Sequence, residues 1–91
     1  MSDRIARRVV VHGAVQGVFF RDTMRRKAQS RGVAGWARNC ADGTVEALLE
    51  GKPDAVDALV AFSHEGPRGA RVEHVDVEPA EPSGADGFRI I

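Results

Sequence analysis

The sequence predicts an α+β sandwich, element order β-α-β-β-α-β, with two helices on one face of an antiparallel sheet. Three observations lead there. Apolar residues recur at helical spacing in two stretches: Phe20, Met24 and Ala28, then Val56, Leu59, Val60 and Ser63. Elsewhere they alternate with period two, as Val9 and Val11 do, and as Val45, Ala47 and Leu49 do. Between these segments lie only short glycine-, proline- and aspartate-bearing connections, with no linker, repeat or low-complexity block.

Each element has its own signals. The first strand spans residues 5–12, with Val9 and Val11 on one face. The first helix, 22–31, carries the Phe20-Met24-Ala28 stripe and meets a natural C′ glycine at Gly32. Strands at 33–39 and 43–50 are separated by Cys40-Ala41-Asp42 alone, which predicts an antiparallel hairpin turning through Asp-Gly. In the second of these strands Glu46, Leu48 and Glu50 take the face opposite Val45, Ala47 and Leu49. Pro53 and Asp54 open the second helix, and Gly66-Pro67 ends it. A fourth strand covers 70–77 and is expected to stop at Pro79, and residues 88–91 add a short terminal strand with Phe88 and Ile90 inward. Right-handed crossovers place both helices on the same sheet face, the ferredoxin-like or split βαβ arrangement. Residues 1–91 are read as one small domain.

Composition narrows the function classes. No apolar run approaches the length of a membrane span, and residues 1–8 lack the apolar core of a signal peptide. One cysteine, Cys40, rules out an internal disulfide and a multi-cysteine zinc site. A cytoplasmic protein is expected. Net charge is zero, yet residues 1–40 carry nine Lys/Arg against two acids, and residues 41–91 four against eleven. Two solvated faces that interleave in space are the simpler reading; a basic half that attracts anions is the sharper one.

The sharper reading has a candidate centre. Residues 13–21, Gly-Ala-Val-Gln-Gly-Val-Phe-Phe-Arg, join the first strand to the first helix. Gly13 and Gly17 permit positive-φ turns that point successive N–H groups into one concavity. The helix start supplies further unpaired donors and a positive dipole end. Arg21 adds a permanent charge whose planar fork can grip phosphate. The run is neither a Walker loop nor a dinucleotide fingerprint, because the Gly-Lys-Ser/Thr and G-x-G-x-x-G spacings are missing. A second candidate is Asn39, an unusual residue for a strand end. Its carboxamide can both donate to and accept from one water molecule, which would fix that water without removing its proton.

Other constellations are weaker. Glu46, not arginine, stands six positions after Cys40, so the Cys-x5-Arg phosphatase loop is absent. His12, His64 and His74 lie far apart; His74 and Asp76 share a strand face, but two ligands do not make a metal site. The strand at 43–50 lacks the aromatic RNA-stacking pattern that would suit the basic half to nucleic acid.

Two signatures resemble those of the acylphosphatase family. Gly13, Val15, Gln16, Gly17, Val18, Phe20 and Arg21 match G-x-V-Q-G-V-x-F-R. Gly35, Trp36, Ala37, Arg38, Asn39, Gly43, Val45 and Gly51 match the second, a seventeen-residue pattern, without a mismatch. The resemblance extends over essentially the whole chain. It implies a hydrolase that splits acyl phosphates into a carboxylate and inorganic phosphate, with phosphate also an inhibitor. Arg21 would bind substrate and Asn39 would orient the nucleophilic water. The backbone of Ala14, Val15, Gln16, Gly17, Val18, Phe19 and Phe20 would hold the phosphoryl group. No metal, cofactor, nucleic acid or membrane is expected to take part, and a monomer is expected.

Overall fold

Val9 and Val11 point the same way along a strand, and both are fully buried in the computed structural model, which describes residues 3–91. Their strand, β1 (Ile5–Ala14), lies inside a sheet of order β4-β1-β3-β2-β5, with β2 spanning Ala34–Asn39, β3 Val45–Gly51, β4 Arg71–Ala80 and β5 Phe88–Ile90. The helices are α1 (Phe20–Arg31) and α2 (Pro53–Glu65). They bury the stripes read from the sequence: Phe20, Met24 and Ala28 from α1, and Val56, Leu59 and Ser63 from α2. Val60 is half-buried at the edge of that face. The Ser63 hydroxyl satisfies itself by donating to the Leu59 carbonyl at 2.9 Å. Val45, Ala47 and Leu49 of β3 complete the core from the sheet side, all with no exposed surface.

β1 pairs antiparallel with β3 and β4, and β2 pairs antiparallel with β3. β5, however, runs parallel to β2, with Gly35 opposite Phe88 and Ala37 opposite Ile90. The sheet is therefore mixed, not antiparallel throughout. The reason is geometric. β4 ends at the end of the sheet where β2 begins, and residues 81–87 must then cross four strand spacings, roughly 19 Å. Seven residues reach at most about 25 Å when extended, so the chain cannot also turn back before pairing.

Several boundaries differ from expectation, β3 for example running from Val45 to Gly51. β1 continues past His12 through a bulge at Gly13. There φ is +128°, and a Cβ would stand 2.1 Å from the Arg71 carbonyl oxygen, so only glycine lets β4 approach. Helix α1 starts at Phe20, two residues early. β4 continues through Pro79 to Ala80, because an edge strand has no outer neighbour to require that N–H.

The outward face of β3 is not solvated as alternation suggested. Glu46 is buried under Arg8 and Arg38, with its Oε1 2.7 Å from Arg38 Nε and its Oε2 2.5 Å from Arg8 Nε. Glu50 is fully buried and accepts from Arg4 Nε at 2.7 Å, Ser83 N at 2.9 Å, Ser83 Oγ at 3.0 Å and Gly84 N at 2.8 Å. It is thereby the anchor of the crossing loop. Burial by itself would raise the Glu50 pKa, but these donors outweigh it and hold the carboxyl at about 2. A depressed folded-state pKa contributes stability that is full above the unfolded carboxyl range and is lost as pH falls toward 2. Glu50→Gln should therefore lower stability at pH 7 by about 2 kcal/mol. It should also flatten the decline in urea midpoint between about pH 4.5 and pH 2, relative to the parent.

Candidate active site

The loop between β1 and α1 carries the unusual backbone of the molecule. Gly17 has φ +75°, and Phe19 has φ +60°, the one non-glycine residue with positive φ among those described. A left-handed phenylalanine costs roughly 1–2 kcal/mol. The residue is 77% exposed, so burial does not offset that cost. Backbone strain of this kind concentrates where function requires a particular chain path.

That path leaves donors unused. Phe19 is the N-cap of α1 without a side-chain cap, and the first helical bond runs from Thr23 N to Phe19 O at 3.0 Å. Phe20, Arg21 and Asp22 therefore present the uncapped amides of a helix start. Among the described residues, the N–H groups of Gln16, Gly17, Val18 and Phe19 donate to no backbone carbonyl or side chain. Unpaired amides, adjoining a helix N-terminus, attract an anion by hydrogen bonding and by dipole.

The cleft beside this loop has a volume of about 220 Å³ and is bordered by Gly17, Phe19, Arg21, Asp22, Asn39 and Ile90, with Val15 and Phe20 forming its floor. Arg21 and Asn39, eighteen positions apart, thus share one opening with the glycine loop. Neither the Arg21 guanidinium nor the Asn39 carboxamide has a hydrogen-bond or ion-pair partner among the described residues. Other cations nearby are committed. Arg38 is held by Glu46, and Arg25 and Arg26 flank Asp22 at 2.6 and 3.3 Å.

Three residues of the expected backbone set also make contacts outside the cleft. Ala14 ends β1 opposite Arg71. Val18 packs against the core and borders a separate groove. The Gln16 side chain leaves the cleft and reaches the β2–β3 hairpin. Asp22 and Ile90 were not anticipated at the cleft. Asp22 could have been found, since it follows Arg21 directly and stands three and four positions before two arginines. Ile90 could not, because only the parallel pairing of β5 with β2 brings it there.

A larger groove, about 650 Å³, runs between α1 and α2 and includes Arg26, Lys27, Arg31, Phe62 and Arg68. Neither Arg21 nor Asn39 borders it. On the far sheet face, His12 and His74 bond to the two oxygens of Asp76 at 3.0 and 2.7 Å, and those bonds, His74's first, hold the aspartate below its ordinary pKa. No group of three or more His, Cys, Asp or Glu side chains among the described residues could hold a metal ion.

The geometry can be set beside known proteins. The sequence model of the acylphosphatase family matches residues 7–90. The chain belongs to the acylphosphatase family. An acylphosphatase of Rubrobacter xylanophilus is 57% identical over 84 residues, covering 91% of this chain and 76% of that protein. One from Thermococcus kodakarensis is 48% identical over 88 residues, covering 97% of each. The solved structure of an acylphosphatase from Coxiella burnetii superposes with a TM-score of 0.93 at 35% identity, covering 98% of this chain and 94% of that one. As an acylphosphatase the chain is a hydrolase, whose substrate is an acyl phosphate and whose product is phosphate.

The acylphosphatase loop makes its own prediction. A Cβ at Gly17 would meet nothing within 4 Å, so only the left-handed φ resists substitution. Gly17→Ala should cost about 1–2 kcal/mol of unfolding free energy in urea. It should weaken phosphate binding, read from the phosphate-induced rise in Tm, because the loop relaxes away from its curl.

Proposed function

We propose that the cleft between the β1–α1 loop and the β2–β3 hairpin is the catalytic centre. The carrying observation is that uncommitted amides, an unpaired arginine and an unpaired carboxamide border the same opening. In this reading the amides from Ala14 to Phe20, with Arg21, hold the equatorial oxygens of the phosphoryl group. Arg21 contributes a planar, permanently charged fork. Asn39 donates to and accepts from one water molecule and aligns it opposite the leaving oxygen.

The reaction asks little more of the protein. Water forms the new P–O bond while the P–O bond to the acyl group breaks and its electron pair leaves on the carboxylate. The conjugate acid of that carboxylate has a pKa of about 4, so no general acid is needed. Phosphoryl transfer is served mainly by positioning and by stabilising charge on the phosphoryl oxygens. The proton of the attacking water passes to a phosphoryl oxygen. Asp22 does not compete as a base, since Arg25 and Arg26 hold its carboxylate. The donors on the chain suffice for this chemistry, which supports a metal-independent reaction. Cys40 is a free thiol, as suits a reducing cytoplasm, and the large apolar side chains exposed among the described residues are the scattered Phe19, Val77 and Ile91, as suits a monomer.

Turnover of a synthetic acyl phosphate in the presence of excess chelator tests the reading. Arg21→Ala should lower kcat/KM by at least ~10²-fold, about 2.7 kcal/mol, and Arg21→Lys should restore little. Arg38→Ala is the control and should stay within about threefold of the parent on the same reasoning of lost transition-state contacts. Loss of activity on chelation, restored by a divalent ion, would contradict the metal-free mechanism.

Asn39→Ala should separate the two tasks. It should collapse kcat while leaving phosphate inhibition within a few-fold of the parent, the signature of a contact made in the transition state. Asn39→Asp keeps the shape but adds a negative charge beside the phosphate, and should be as poor. Parental activity in Asn39→Asp would mean that the water requires a base.

A further inference from the structure

Gln16 lies in the glycine loop, yet its side chain serves another element. Its Nε2 donates to the Cys40 carbonyl at 2.8 Å and to the Thr44 carbonyl at 2.9 Å. Those carbonyls belong to the two sides of the hairpin neck. The Thr44 carbonyl also accepts from Cys40 N at 2.9 Å, and the Cys40 carbonyl from Gly43 N at 3.1 Å. One amide nitrogen thus spends both its hydrogens bridging the neck of the turn that begins immediately after Asn39.

The turn it grips is itself fixed. Asp42 Oδ1 accepts from Thr44 N at 3.0 Å and Thr44 Oγ1 at 2.7 Å. A clasp onto a mobile loop would transmit nothing, but a clasp onto this turn ties the phosphate-side loop to the residue next to Asn39. Main-chain pairing through β3 aligns β1 with β2 but ends at Ala14 and Asn39, and leaves the loop beyond Ala14 unset.

We propose that Gln16 is a positioning residue: its carboxamide clasps the glycine loop to the β2–β3 hairpin and thereby sets the distance from the bound phosphoryl group to the Asn39 carboxamide. The inference rests on the water-orienting role proposed for Asn39. Gln16 touches no substrate through its side chain. Its effect belongs to kcat, because misplacing the attacking water leaves phosphate held as before.

The test is a double-mutant cycle with Gln16→Met, which keeps length and removes both donors. In the otherwise native chain kcat for a synthetic acyl phosphate should fall about tenfold, with the inhibition constant for inorganic phosphate within threefold of the parent. In the Asn39→Ala background the same substitution should change the residual rate less than twofold, because the residue through which it acts is gone. A tenfold loss in both backgrounds would separate Gln16 from Asn39 and overturn the proposal. So would unchanged kcat, or a phosphate constant that weakens in step with kcat. Gln16→Ser repeats the measurement without adding apolar surface, and loss of the native circular-dichroism spectrum in both variants would assign the clasp to folding alone and likewise overturn it. If Asn39→Ala itself left kcat unchanged, the water-orienting role would fail first, separately from the clasp.

Discussion

Val45 stands opposite Val11 of β1 on one side and opposite Asn39 of β2 on the other. This single buried residue of β3 aligns the ends of the two strands that deliver the glycine loop and the carboxamide to one opening. Register in a sheet with one buried face is strongly specified, because a one-residue slip would turn Val45, Ala47 and Leu49 out of the core. The same slip would carry Asn39 away from the cleft. Packing of the helix side of the sheet and assembly of the site are in this sense one constraint.

Electrostatics divides along the same sheet. Three of the nine cations in residues 1–40 pair with acids of the other half on the face away from the helices: Arg4 with Glu50, Arg8 with Glu46 and Glu78, and Arg38 with Glu46. On this face the two halves of the sequence meet charge to charge. Arg21 is left out of that arrangement, beside amides that have no internal acceptor. The anion site proposed for the cleft rests on these unpaired donors.

Much of this was legible from local pattern. The Phe20-Met24-Ala28 stripe, the Asp-Gly hairpin and the glycine loop each carry their signal within a few residues, and both family signatures fall on segments that meet at the cleft. What was not legible is long-range. The parallel pairing of β5 depends on how far residues 81–87 must travel, which no local period encodes. Glu50 reads as a solvent-facing strand residue, and its burial depends on Ser83 and Gly84, more than thirty positions on. The Gln16 side chain is similar: sequence places it in the glycine loop, but only the fold shows which carbonyls it meets. Phe19 gave no warning at all, since a left-handed φ at phenylalanine opposes its intrinsic preference.

The central claim is that an anion is held by the β1–α1 loop and Arg21 beside Asn39, without help from a metal. Titration of the ¹⁵N-labelled chain with inorganic phosphate, in excess chelator, tests it most directly. The account predicts that amides 15–22, the Arg21 guanidinium and the Asn39 side chain shift together along one saturating curve, while Lys27, Phe62 and Arg68 of the groove between the helices do not move. Shifts concentrated in that groove, or saturation that requires a divalent ion, would contradict it.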